Sequence, residues 1–177
     1  MKLEEFLYSK KERILKQWFS SIIATYPPDV SSFLKTEHDR FANPVGYTIR
    51  AGIETLFDEL TGGNNLDNIT SALDSIIRIR AVQDFNASEA LNFVFLLKHA
   101  VRNEIQPNSE RSGMDHARQI LEELLQFETR LDSLVSLAFD IYTRCRDDIH
   151  RIKIAQANPK QSMARHRTRI IRSTEDH

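Results

Sequence analysis

An all-α fold is what this sequence predicts, and three observations carry that expectation. Only five glycines and five prolines interrupt 177 residues, and the 41% apolar and 28% charged content suits a soluble helical protein. The patterned stretches space their apolar residues by three and four. The last of them holds a heptad repeat for more than three heptads. A chain of this length makes one domain with a proper core and is short for two.

The first helix is expected over about residues 3 to 25. Leu7, Ile14, Leu15, Trp18, Phe19, Ile22 and Ile23 share one face, with Lys10, Lys11, Glu12 and Lys16 mostly opposite. Pro27 and Pro28 in "YPPD" end it. The weakly patterned "SSFLKTEHDRF" reads as one or two helical turns. Asn43 before Pro44 matches an N-cap followed by proline at the first helical position. Val45, Ile49, Ile53, Leu56, Phe57 and Leu60 then form a buried stripe, and the glycines at 62 and 63 stop the helix as a glycine cap.

A third long helix covers about 66 to 80 through Leu66, Ile69, Leu73, Ile76 and Ile77. Asn86 with Glu89 has capping-box spacing and starts the fourth. Its body, Ala90 to Val101, is apolar almost all round and is expected to be the central element, ahead of the polar break "QPNSERSG". The last helix carries Ile120, Leu124, Phe127, Leu131, Leu134, Ala138, Ile141 and Cys145 on a heptad seam. Ile149 and Ile152 extend it after a phase shift, for a helix of about 40 residues and about 60 Å.

Composition removes several function classes. The longest apolar run, "LNFVFLLKHAV", is broken by Lys98 and His99 and falls short of the roughly 20 residues of a bilayer span. The N-terminus alternates acid and base without the apolar region of a signal peptide, and a lone Cys145 fits a reducing cytoplasm. Charge is uneven: residues 144 to 172 carry +7, residues 1 to 143 carry −6, and Glu175 and Asp176 close the chain. The basic tail, 156 to 177, is expected to be flexible and to bind a partner; nucleic acid or an anionic membrane surface is its second reading.

No catalytic, cofactor-binding or metal-binding residue is assigned. There is no glycine-rich phosphate loop, and the six histidines never pair at helical spacing. "DDIH" brings Asp147 near His150 once, whereas a bundle diiron site needs that motif twice with two further glutamates. Cys145 on the seam reads as a packing residue and His99 as packed or peripheral. No serine–histidine–acid arrangement or helix-turn-helix signature stands out.

The stretch "IIRIRAVQDF", residues 76 to 85, is the one polar cluster with a binding reading. Arg78 and Arg80 point about 200° apart on a helix and cannot form one patch while it stays wound. Gln83 and Asp84 can bond backbone ends or one arginine, which makes a structural role the leading one. Candidate ligand or partner contacts are Arg78, Arg80, Gln83, Asp84 and Lys98.

"DRFANPVGYTIRAGIETLFDELTGG" at 39 to 63 and "IIRIRAVQDFNASEALNFVFLLKHAVRNEI" at 76 to 105 resemble the N-terminal sensory domain of the RsbT co-antagonist protein RsbRD family, over about residues 5 to 150. The resemblance implies a globin-like, haem-free helical domain that dimerises. In stressosome regulators such domains precede a STAS domain, whose phosphorylation by the RsbT kinase governs release of a signalling partner. This chain ends soon after the long helix, so that domain's partner capture and phosphorylated residues are not carried over, and a stand-alone sensory or adaptor protein is expected. A globin-type proximal histidine would fall in residues 66 to 85, which hold none.

The resulting expectation is a helical domain at 1 to 155 and a non-enzymatic, cytoplasmic signalling protein of stress-response regulation. It is a homodimer with an unidentified regulatory protein partner. Its dimer seam is Phe127, Leu131, Leu134, Ala138, Ile141 and Cys145. The alternative is a helical protein holding a small apolar or anionic ligand in its core.

Overall fold

The computed structural model describes residues 2–36, 39–109 and 114–157, with the side chains of 107–109 and 114–117 outside that description. Among the described residues there are seven α-helices and no strand: α1 (Leu3–Ser9), α2 (Lys11–Ile23), α3 (Pro28–Thr36), α4 (Pro44–Asp58), α5 (Leu66–Val82), α6 (Ala87–Ser109) and α7 (Met114–Ala157). The all-α expectation with a long last helix is borne out.

Three local expectations are corrected. The single helix over 3 to 25 breaks at Lys10, with φ −109° and ψ 9°. Just before the break, the Ser9 hydroxyl donates to the Phe6 carbonyl at 2.7 Å, a side-chain bond that competes with regular helix. The short weakly patterned piece belongs to a nine-residue helix that begins at Pro28 itself, about two and a half turns. The glycines at 62 and 63 do not supply a left-handed cap. Glu59–Gly63 is a π-type turn, closed by Asn64 N–H donating to the Glu59 carbonyl at 2.9 Å and kinked at Gly62 (φ 180°, ψ −23°), and Asn64, at φ 58° and ψ 24°, takes the left-handed position that asparagine tolerates.

Other starts are as the residues dictate. The Asn43 side chain accepts from Gly46 N–H at 2.8 Å and donates to the Leu34 carbonyl at 3.2 Å, tying the start of α4 to α3. The capping box of α6 is formed both ways: Asn86 N–H donates to Glu89 at 3.0 Å, and Glu89 N–H donates to Asn86 at 2.9 Å. The helix continues past Gln106 and Pro107 to Ser109, further than the polar break suggests.

The chain divides into two units, Met1–Tyr142 and Thr143–His177. In the first, α4 lies closest to α5, and α2 runs against α6, where the buried Trp18 indole donates to the Phe93 carbonyl at 2.7 Å. α7 joins this core through side chains. Phe127, Leu131, Leu134, Ala138 and Ile141 are buried, while Ile120 and Leu124 are only partly so. Ion pairs Lys98–Asp132 and Arg102–Glu128 lace α6 to α7, and Arg130–Glu4 at 3.1 Å links α1 to α7.

The described part of the second unit is the end of α7. Cys145 is buried, Ile149 partly buried, and Ile152 and Ile154 exposed. At 44 residues α7 is about 66 Å long at 1.5 Å per residue. Of the expected basic tail, Gln156 and Ala157 are still helical and the remainder lies outside the described residues. No helix among the described residues is long and apolar enough to cross a membrane.

Candidate functional site

Three helix ends meet where α2 finishes, α5 finishes and α6 begins. Arg80 occupies the last turn of α5, the end whose carbonyls favour a cation. Its side chain turns inward and leaves the residue 1% exposed. Nη2 donates to Thr25 Oγ1 at 3.1 Å and to the Glu89 carbonyl at 3.0 Å. The guanidinium carbon lies 4.2 Å from the Phe85 ring centroid and 5.4 Å from that of Tyr26. Those rings pack edge to face at 5.2 Å and 65°.

That leaves Nε and Nη1 of Arg80 buried with no hydrogen-bond partner among the described residues. An unmet donor in a dry place costs about 1–3 kcal/mol, and the aromatic faces offset only part of it. Burial pulls Arg80 below the ordinary guanidinium pKa, against the opposing pull of Tyr26 and Glu89. Burial likewise pushes the Tyr26 phenol up, with Arg80 acting the other way.

Tyr26 OH donates to Gln83 Oε1 at 3.0 Å, which closes the corner from the solvent side. Asp84 follows at φ 59°, a left-handed turn residue that redirects the chain from α5 to Phe85. Phe85 N–H donates to the Arg80 carbonyl at 3.2 Å, and the Phe85 carbonyl accepts from Tyr142 OH of α7 at 2.8 Å. In front of the corner lies an open cleft of about 380 Å³, walled by Thr25, Tyr26, Pro27 and Val30 on one side and by Gln83, Asp84, Phe85 and Glu89 on the other.

A second cleft, about 540 Å³, lies among α2, α3 and α4. Arg50 stacks over Phe19 there at 3.7 Å and donates to the Lys35 carbonyl at 3.3 Å. Burial lowers the Arg50 pKa. No buried unpartnered polar atom lines that cleft among the described residues, so it makes the weaker site.

The five sequence candidates separate. Arg80, Gln83 and Asp84 come together at the corner. Arg78 points away and makes an exposed i, i+4 ion pair with Asp74 at 3.0 Å, as the 200° separation requires. Lys98 sits on α6, paired with Asp132. The seam candidates Phe127, Leu131, Leu134, Ala138 and Ile141 are buried within the first unit, so packing inside that unit already accounts for this part of the heptad signal; Cys145, in the second unit, is also buried. His99, Asp147 and His150 are exposed, and no group of His, Cys, Asp or Glu among the described residues is arranged to hold a metal ion.

Thr25, Tyr26, Phe85, Glu89 and Tyr142 belong to the corner but carry no functional signal in the sequence. Tyr26 reads as part of a helix-ending "YPP", Glu89 as a capping residue, and Tyr142 lies off the heptad seam.

The chain matches the family described as RsbT co-antagonist protein rsbRD N-terminal domain over residues 12–157, and it belongs to that family. The family is a globin-like all-α domain of stressosome-related regulation. No curated protein and no solved structure matches the chain.

Proposed function

We propose that this family member is a non-enzymatic regulatory domain that acts in the cytoplasm as a dimeric sensor or adaptor, and that the state of its helical body is passed on through α7 to a regulatory protein partner. The observation that carries this reading is the family match over residues 12–157. The surface of α7 supports it. Leu121, Leu125 and Phe139 are 55%, 56% and 53% exposed, and their spacing puts them within about 40° of one another on the helix. Phe95 of α6 is exposed as well. With the heptad seam used inside the chain, this outer strip is the face on which a second copy packs.

Sedimentation of the full chain tests the dimer. A dimer at high micromolar concentration that Leu125→Glu with Phe139→Glu converts to monomer is the expected result. A wild-type monomer at that concentration overturns it.

Ligand binding is the second reading, favoured by the open cleft walled by Thr25, Tyr26, Phe85 and Glu89, the residues that surround Arg80, although Arg80 itself is not one of its walls. It places the ligand at the meeting of three helix ends instead of in the core.

A further inference from the structure

The cleft among α2, α3 and α4 carries the charge that the corner lacks. The open walls at the corner hold Asp84 and Glu89 and no cation. Lys16, Lys35 and Arg50 all line the α2–α3–α4 cleft, and among the described residues none of the three is in an ion pair. Two carboxylates share the walls, and one of them, Glu54, is already met by Lys11 at 3.4 Å. By the measure of buried unpartnered atoms this is the weaker cleft, but by the charge on its walls it is the better one for an anion.

Arg50 selects the kind of anion. It is partly buried, and burial alone lowers its pKa, so its charge lies partly out of water with no carboxylate to offset the cost. One face of the guanidinium rests on Phe19 at 3.7 Å, and Nη2 donates to the Lys35 carbonyl at 3.3 Å. A guanidinium held in this way is a fixed cationic plane, with its opposite face and remaining N–H groups left for an occupant.

The geometry points to an aromatic monocarboxylate as the ligand of this cleft, its ring laid on the open face of Arg50 and against Leu15, and its carboxylate between Lys16 and Lys35. This deepens the sensor reading, on which it rests, and is separate from the cleft at the corner. A flat cation favours a ring over an aliphatic chain. Three positive wall charges against two negative leave one for the ligand to match, so a monoanion fits, whereas a dianion would bring surplus charge beside Glu12. The cleft, about 540 Å³, is of the size that holds small molecules, about 300–1,000 Å³. From its place on α4, Arg50 touches Phe19 of α2 and Lys35 of α3, so an occupant held by it is held by all three helices.

The test is calorimetry on the full chain with phenylacetate, 3-phenylpropanoate and indole-3-acetate. At least one of the three binds, and the carboxamide of the tightest is about tenfold or more weaker. No binding of any of them at millimolar concentration overturns the proposal, and so does a carboxamide that binds as tightly as its acid. Octanoate and inorganic phosphate bind more weakly than the tightest aromatic acid; equal affinity of octanoate overturns the choice of a ring, and equal affinity of phosphate overturns the need for an apolar body.

Lys16→Gln with Lys35→Gln changes two exposed residues and loses about tenfold in affinity, and unchanged affinity overturns the carboxylate's placement. Arg50→Lys keeps the charge and gives up the plane, so it weakens aromatic acids more than octanoate; an equal effect on both overturns the stacking. Glu12→Gln removes a repelling charge and tightens binding, an effect that a merely structural change would not produce, and unchanged or weaker binding counts against the site. Nuclear Overhauser contacts run from the ligand ring to the methyls of Leu15 or Ile53; contacts to Val30 or Phe85 would put it at the corner instead and overturn the assignment. Binding is measured without any partner, so its failure leaves the dimer standing and a monomer leaves the binding standing.

Discussion

The α4–α5 contact and the α6–α7 contact are built in opposite ways. α4 approaches α5 until a Cβ at Gly52 would stand 2.8 Å from the Ile76 side chain and 3.5 Å from the Ala72 carbonyl, so only glycine fits without displacing Ile76. α7 lies further off, anchored by large residues such as Phe127 and Leu131, with Lys98–Asp132 and Arg102–Glu128 laced along its edge. Close packing of small against branched side chains admits one arrangement. Long side chains with charged ends admit several of similar energy, since ion pairs with one partner open to water are worth only about 0–1 kcal/mol. The first contact makes a fixed frame and the second makes an element whose position can be biased, which suits α7 as the output of a regulatory domain.

The contrast breaks most readily at its hydrophobic anchor. Phe127→Ala is expected to cost about 3–5 kcal/mol, because α7 then loses its largest buried side chain. Chemical denaturation measures it, and a loss no larger than that of Glu128→Gln would mean that charges hold α7. Gly52→Ala should cost about 1–3 kcal/mol through overpacking against Ile76, read by the same method. A neutral result would show that α4 and α5 can separate and that the frame they make is not fixed.

Glu128→Gln should cost about 1 kcal/mol. It removes the charge from a bidentate pair with Arg102, at 2.6 and 2.8 Å, whose carboxylate is 12% exposed and whose arginine is 57% exposed. Lys98→Met tests the more open pair and should change stability by less than about 0.5 kcal/mol.

The smallest effect concerns α1. The Glu123 carboxylate is held below its ordinary pKa of 4.5, first by the Leu3 backbone N–H and then, against desolvation, by Gln119 and Lys2. A depressed carboxylate stabilises the fold above its ordinary pKa and loses that contribution as pH falls through the folded value. The tie of α1 to α7 is therefore intact at neutral pH and released in acid. The Leu3 amide shift in an NMR titration should move over that acidic range in the wild type and stay put in Glu123→Gln.

What was legible in the sequence was local. Asn43–Pro44 and Asn86–Glu89 work as caps because their partners lie three residues away, and the heptad of α7 marks buried residues because periodicity reports a face. What periodicity does not report is which body covers that face, and here Phe127 to Ile141 are covered by their own chain. The break at Lys10 and the π turn at Glu59–Gly63 were hidden because each depends on bonds, from Ser9 to Phe6 and from Asn64 N–H to the Glu59 carbonyl, that compete with an equally allowed helix. At the corner, the 200° between Arg78 and Arg80 was legible, and it sends Arg78 to solvent and Arg80 inward. Which arginine turns inward is set by Thr25, Tyr26 and Tyr142, which arrive from more than 50 residues away in sequence.

The chain has a single tryptophan, and Trp18 donates its indole N–H to the Phe93 carbonyl across the α2–α6 contact. Its emission is therefore an optical gauge placed by nature at the α2–α6 contact, blue-shifted while that contact is dry and red-shifted once water enters. A ligand or partner that acts only on α7 should leave the colour of this light unchanged, whereas one that loosens α2 from α6 will show itself without any added dye.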